Sequence, residues 1–181
     1  KYPRQGVLAG LPDDGLMYEM GRQIARDMRS MKIDVNFAPV VDVNLHPDVN
    51  TIKDRSFGPD KNLVADYGSA VMRGMQDGGV VACAKHFPGH GDTEVDSHKA
   101  LPVLKFPKER LDSVELYPFR RLIKDGVEMV MVGHLLVPVL DTLPASVSKV
   151  VVTDLLRKKM KFRGLIITDA LGMEGVLEPF G

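Results

Sequence analysis

Four extended and largely apolar runs, Ile33 to Val43, Val80 to Ala84, Val127 to Val132 and Leu165 to Thr168, alternate with segments of helical periodicity. No other feature restricts the fold of this chain so strongly. Between Asp13 and Met31 the apolar positions Leu16, Met17, Met20, Ile24, Met28 and Met31 recur at helical spacing, with Asp13 and Asp14 as caps. The methionines there read as core packing. Leu63, Val64, Tyr67, Val71 and Met75 predict a second helix, stopped by Gly78 and Gly79. A third runs from about Asp112 to Lys124, where Pro118 either kinks it or marks its true beginning. Ser148 to Met160 is the fourth.

Apolar strands alternating with helices are the signature of parallel βαβ units whose helices cover the sheet. The expectation is an α/β fold in a single domain, with every strand's carboxyl end emerging on one face. Asp42, His86, His134 and Asp169 should then look into one crevice. A chain of 181 residues with 44% apolar content can bury one sizeable core, and its 24 basic residues are balanced by 24 acidic ones. That balance gives no electrostatic case for nucleic acid or an acidic membrane surface. No apolar run is long enough to span a bilayer, and Lys1-Tyr2-Pro3-Arg4 has neither region of a signal peptide. The compartment stays open between cytoplasm and export. The single cysteine, Cys83, excludes an internal disulfide framework and reads as a small buried hydrophobe.

Chemistry concentrates in Lys85 to His98, KHFPGHGDTEVDSH, where Pro88, Gly89 and Gly91 forbid regular structure just after an apolar strand. Asp96 and His98 stand two apart, so in an extended loop the carboxylate can hold one imidazole nitrogen while the other faces a ligand. Asp169 arrives from a different strand, as a carboxylate suited to nucleophilic attack or to stabilising positive charge. A carboxylate opposed to an acid/base is what glycosidic cleavage requires. An Asp-x-His pair also arises by chance, and an aspartate at a strand end is often structural, so the residues alone leave both readings open. His86, His90 and His98 match no usual zinc spacing and have no cysteine nearby, so no metal and no cofactor is expected.

KHFPGHG followed by DSH, the preceding NFAPVVDV and DRSFG, and the later PASVS and ITDALGM resemble the barrel domain of glycoside hydrolase family 3, in its bacterial β-N-acetylglucosaminidase (β-hexosaminidase) branch. The resemblance covers nearly the whole chain in order. It implies part of a (β/α)8 TIM-type barrel with parallel strands. Because a closed barrel needs roughly 250 residues, residues 1–181 are expected to be its central and C-terminal-side portion, incomplete at both ends. It implies a carbohydrate substrate and retaining exo-hydrolysis, with Asp169 as nucleophile, His98 as acid/base and Asp96 orienting His98. Arg55, Lys85 and His86 would then hydrogen-bond the sugar hydroxyls.

Read without the resemblance, Arg55 could be a surface ion pair, Lys85 a helix-capping charge and His86 a satisfied strand-end histidine. His90 could shape the loop rather than touch sugar, and His134 could line the subsite or satisfy a backbone carbonyl. A family 3 β-glucosidase or xylosidase is a rival, against which the Asp-Ser-His loop argues. A carbohydrate-binding homologue without turnover is another, against which the presence of Asp169 and His98 argues. A histidine acid becomes neutral after giving up its proton, so phosphate would meet less repulsion as an acceptor than beside a carboxylate. Some phosphorolysis is therefore expected alongside hydrolysis.

Overall fold

The structure, a computed structural model, describes residues 2–46, 52–93 and 101–173. After a short helix, α1 (Gln5–Leu8), the long helix α2 (Asp14–Ser30) starts where the Asp13 carboxylate accepts from the Gly15 N–H, the cap expected from sequence. α2 buries Met17, Gly21 and Ala25 and packs on α3 (Lys61–Asp77). The methionine face is core only in part, since Leu16 and Met31 are 50% and 61% exposed. Asp60 caps α3 through the Asn62 N–H, and Gly78 followed by Gly79 at φ +80 ends it, as the Gly-Gly pair predicts.

Four parallel strands, β1 (Val35–Asn36), β2 (Val81–Phe87), β3 (Met129–Val132) and β4 (Leu165–Thr168), lie in the sheet in sequence order. The expected run from Ile33 to Val43 keeps regular pairing only at Val35–Asn36. Pro39 has no N–H to give the ladder, yet the chain stays beside β2. Cys83 donates to the Ala38 carbonyl, Lys85 to the Pro39 carbonyl, and Val41 to the Lys85 carbonyl. Val40 therefore turns its own N–H and C=O away from β2, and both meet the Gln5 side-chain amide, at 3.1 and 2.8 Å.

The helix expected from Asp112 starts earlier. α4 (Lys108–Arg110) leads into a wide π-type turn at Leu111–Glu115, which continues as α5 (Leu116–Lys124). Pro118 sits in the first turn of α5, just after the π-type turn, where a missing donor is tolerated, so it marks the change from π-type to α-helical winding within a stretch that begins at Lys108. The last helical stretch, Val150–Lys159, is likewise π-type and is capped by the Ser148 hydroxyl, which accepts from the Val151 N–H. No helix among the described residues is long and apolar enough to cross a membrane.

Strand side chains divide cleanly between the faces of the sheet. Ala82, Ala84, Val130, Val132 and Ile166 join the core beneath the helices, with Val71, Phe119 and Leu122. Val81, Cys83, Met129, Met131 and Ile167 form a separate cluster. Continued with period two, that second face carries Lys85 on β2 and Asp169 just past β4. It is the face a barrel would enclose; here the sheet does not close, and Phe37 and Leu165 remain 51% and 59% exposed. Burial pushes the Cys83 thiol up to about 12, in keeping with a small hydrophobe rather than a reactive group.

Candidate active site

The site is organised around a fully buried carboxylate, Asp42, in the segment after β1. Its Oδ2 accepts from His86 Nδ1 at 2.7 Å, while Oδ1 accepts from the backbone N–H groups of His86 at 3.1 Å and His90 at 2.8 Å. Burial alone would push this carboxyl up, but the neighbouring His86 and His90 hold it below the usual carboxylate range. One side chain thus fixes both histidines of the KHFPGHG motif from across the sheet. Ser56, which follows Arg55, donates to the Asp42 carbonyl at 2.6 Å and ties the DRSFG segment to the same point.

Removing this anchor leaves buried donors unpaired. Asp42→Ala in the full-length protein is expected to lower the unfolding free energy, read by urea titration, by about 3–5 kcal/mol. Because the folded-state pKa is depressed, the contribution is complete above the ordinary carboxylate pKa and disappears as pH falls through the lowered value. The gap between wild type and variant should therefore narrow on acidification. A gap below about 1 kcal/mol near neutral pH would show that Asp42 is not the anchor.

The motif's glycines have packing reasons. A Cβ on Gly91 would stand 2.0 Å from the Val43 carbonyl oxygen, and Gly89, at φ +132, would place one 2.8 Å from the Glu115 Cβ. Arg110 secures the outgoing side: it donates to Asp92 Oδ2 at 3.0 Å and to Glu115 Oε1 at 2.9 and 3.0 Å, with its guanidinium 4.3 Å from the Phe106 ring centre. Burial raises the Glu115 pKa, and its Oε2 has no hydrogen-bond partner among the described residues. His90 Nδ1 contacts Thr93 Oγ1, whose proton goes to the His90 carbonyl, so the imidazole donates and helps shape the loop.

A cavity of about 350 Å³ is lined by Arg4, Gln5, Phe37, Val40, Arg55 and Lys85, among others, and so unites two of the sugar-binding candidates. Burial lowers the Lys85 pKa, Arg55 lowers it further, and Asp169 and Asp42 oppose the shift, which places all three groups within electrostatic reach of one ammonium. Arg55 makes no ion pair with any described residue, and Lys85 lies within β2 rather than at a helix end. His86 is buried, and its Nδ1 is satisfied by Asp42. Asp169 donates its N–H to the Val132 carbonyl, and its Oδ1 accepts from the Ala170 N–H at 2.8 Å.

The fully buried His134 answers the question its sequence position left open. Its Nε2 lies 3.0 Å from the Ala170 carbonyl oxygen and its Nδ1 2.7 Å from Ser146 Oγ, so it satisfies a backbone carbonyl. Asp96 and His98 lie outside the described residues. Among those described, no group of three or more His, Cys, Asp or Glu side chains could hold a metal ion. Asp42 was expected to look into the crevice; it is instead fully buried against His86 and His90. Its grip on residues 44 to 48 positions away, and the Asp92–Arg110–Glu115 network, carried no local signal.

The family model described as "Glycosyl hydrolase family 3 N terminal domain" matches residues 1–181. Beta-hexosaminidase A of Pseudoalteromonas piscicida is 35% identical over 192 residues, covering 99% of this chain and 31% of that protein. The beta-hexosaminidase of Methylobacillus flagellatus is 37% identical over 160 residues, covering 88% and 46%. Among solved structures, a family 3 beta-N-acetylglucosaminidase from a Paenibacillus species superposes with a TM-score of 0.96 at 42% identity, over 99% of this chain and 34% of that one. The chain thus spans less than half the length of each of these relatives, between 31% and 46%.

Proposed function

The chain belongs to glycosyl hydrolase family 3, and from that membership we propose that the complete protein is a retaining exo-glycosidase that hydrolyses terminal β-N-acetylglucosaminides. The observation that carries this reading is the meeting of Lys85 and Arg55 on one cavity, within electrostatic reach of Asp169, at the carboxyl ends of parallel strands.

In this reading Asp169 attacks the anomeric carbon and forms a covalent glycosyl ester. The Ala170 N–H holds Oδ1, which leaves Oδ2 as the attacking oxygen. His98 protonates the departing oxygen and then takes a proton from the incoming water, while Asp96 orients its imidazole and stabilises the imidazolium. Lys85, Arg55 and the second ring nitrogen of His86 hydrogen-bond the sugar hydroxyls, donors suited to a neutral polyhydroxylated ligand. Nothing in this scheme requires a cofactor.

Residues 1–181 are read as the central and C-terminal-side portion of one barrel domain. The exposed inward side chains of Phe37 and Leu165 support this, because a completed barrel fills its interior with such residues. The balanced charge favours a carbohydrate partner over nucleic acid.

Side-by-side assays of the full-length enzyme on aryl β-N-acetylglucosaminide and aryl β-glucoside are the test. The expected result is a preference of about 10²-fold or more in kcat/KM for the N-acetylated sugar. Equal rates, or a preference for the glucoside, would transfer the assignment to the glucosidase branch, and turnover of neither would favour a binding role. The same assay run in phosphate decides phosphorolysis, through the presence or absence of sugar 1-phosphate.

A further inference from the structure

We infer that His134, held by Ser146 of the PASVS segment, is a positioning residue that sets the turn carrying Asp169; this rests on Asp169 being the nucleophile. The partners decide the tautomer. A carbonyl oxygen can only accept, so the contact at 3.0 Å to Ala170 puts a proton on His134 Nε2. In the neutral imidazole Nδ1 then accepts from the Ser146 hydroxyl, 2.7 Å away.

The chain around Asp169 is consequently held on both sides. The Asp169 N–H donates to the Val132 carbonyl at 3.0 Å, the Ala170 N–H donates to Asp169 Oδ1 at 2.8 Å, and the Ala170 carbonyl receives the histidine. The first contact continues the strand ladder and the second is local to the aspartate. Among the described residues, the third ties the far side of the turn to another part of the fold, the segment after β3, whereas the Met173 N–H that also meets the Ala170 carbonyl, at 3.2 Å, is local to the turn. Beyond it Leu171 is 61% exposed before the chain turns back to the buried Met173.

That carbonyl already receives the Met173 N–H, and water could meet its second lone pair at so exposed a turn, so the histidine is not needed merely to satisfy it. A fully buried histidine, itself oriented by a hydroxyl from a third segment, fits the task of fixing direction. Released from it, the Ala170 peptide groups can rotate and carry the N–H that orients Oδ1 with them. The attacking oxygen then loses its line to the anomeric carbon, although the sugar-binding groups Lys85, Arg55 and His86 stay in place. PASVS thereby gains a role in the site through Ser146.

The test uses the full-length enzyme, with kcat/KM on an aryl N-acetylglucosaminide and the inhibition constant of N-acetylglucosamine as separate readouts. His134→Leu should lower kcat/KM by about 100-fold while the inhibition constant stays within about twofold, because nucleophile alignment is lost and sugar binding is kept. His134→Gln, whose amide N–H can reach the Ala170 carbonyl, should recover to within about fivefold of wild type. Equal loss in the Leu and Gln enzymes, or parallel loss of N-acetylglucosamine binding, overturns the inference in favour of a purely structural histidine. If His134→Leu does not fold, Ser146→Ala decides: a fall of about tenfold supports the inference and an unchanged kcat/KM overturns it. A wild type without turnover, or an Asp169→Asn enzyme that retains it, overturns instead the reading on which the inference rests.

Discussion

Asp169→Asn in the full-length enzyme is expected to abolish turnover on every substrate, with a loss of about four orders of magnitude or more in kcat irrespective of the leaving group. Asparagine has nearly the same shape, and its amide oxygen can still accept the Ala170 N–H that now holds Oδ1, so the turn after β4 should persist. What disappears is the anionic oxygen able to displace the leaving group, and with it the glycosyl ester. The Lys85 ammonium also loses one of the two carboxylates that oppose the fall of its pKa, so the site becomes more cationic but cannot attack. Assays on an aryl and a disaccharide substrate, together with thermal unfolding, separate these effects. An enzyme with normal unfolding and more than about a hundredth of wild-type rate would remove Asp169 from the nucleophile's role.

The second large effect belongs to His98. His98→Ala should lower kcat/KM on a disaccharide by about 10²–10⁴-fold, the range of general acid catalysis, and leave an activated dinitrophenyl glycoside within about tenfold. The asymmetry arises because kcat/KM reports the steps through glycosyl-enzyme formation, and a phenolate of low basicity departs without a proton. A sugar alkoxide does not. Losses of equal size on both substrates would point to a binding role for His98 and would leave the leaving-group proton to another donor.

Regular structure was legible wherever chemistry is local. The Asp13 cap, the Gly78-Gly79 stop and the apolar strand β4 follow from a few adjacent residues and stand where their signals placed them, whereas β2 runs on to Phe87, taking in Lys85 and His86 that read as loop, and β3 begins only at Met129. Reading went astray where a longer-range partner decides. Pro39 thins the first strand to Val35–Asn36, yet β2 still carries that segment through hydrogen bonds that no sequence window contains. Leu16 and Met31 fit the helical period of α2 but fall outside the stripe that faces α3. The start of the third helical stretch moved to Lys108 because a π-type turn, which has no compositional signature, precedes Pro118.

The candidate site divides along the same line. Lys85, Arg55 and Asp169 converge because strand polarity requires it, and strand polarity can be read from the alternation of helices and apolar runs. The inner support could not be read so. Nothing near Asp42 announces that it will bind His86 and His90, and Glu115 looks like any helical glutamate until Gly89 is seen against it. His134 offered two roles on paper, and only the position of Ala170 distinguished them.

The Gln5 amide has a consequence for assembly. By meeting both backbone polar groups of Val40, it imitates the next strand of the sheet at the place where a strange chain would otherwise add one. A side chain thus acts as a plug against intermolecular β-pairing, and a nascent polypeptide with part of its sheet still uncovered has less free rim on which to aggregate.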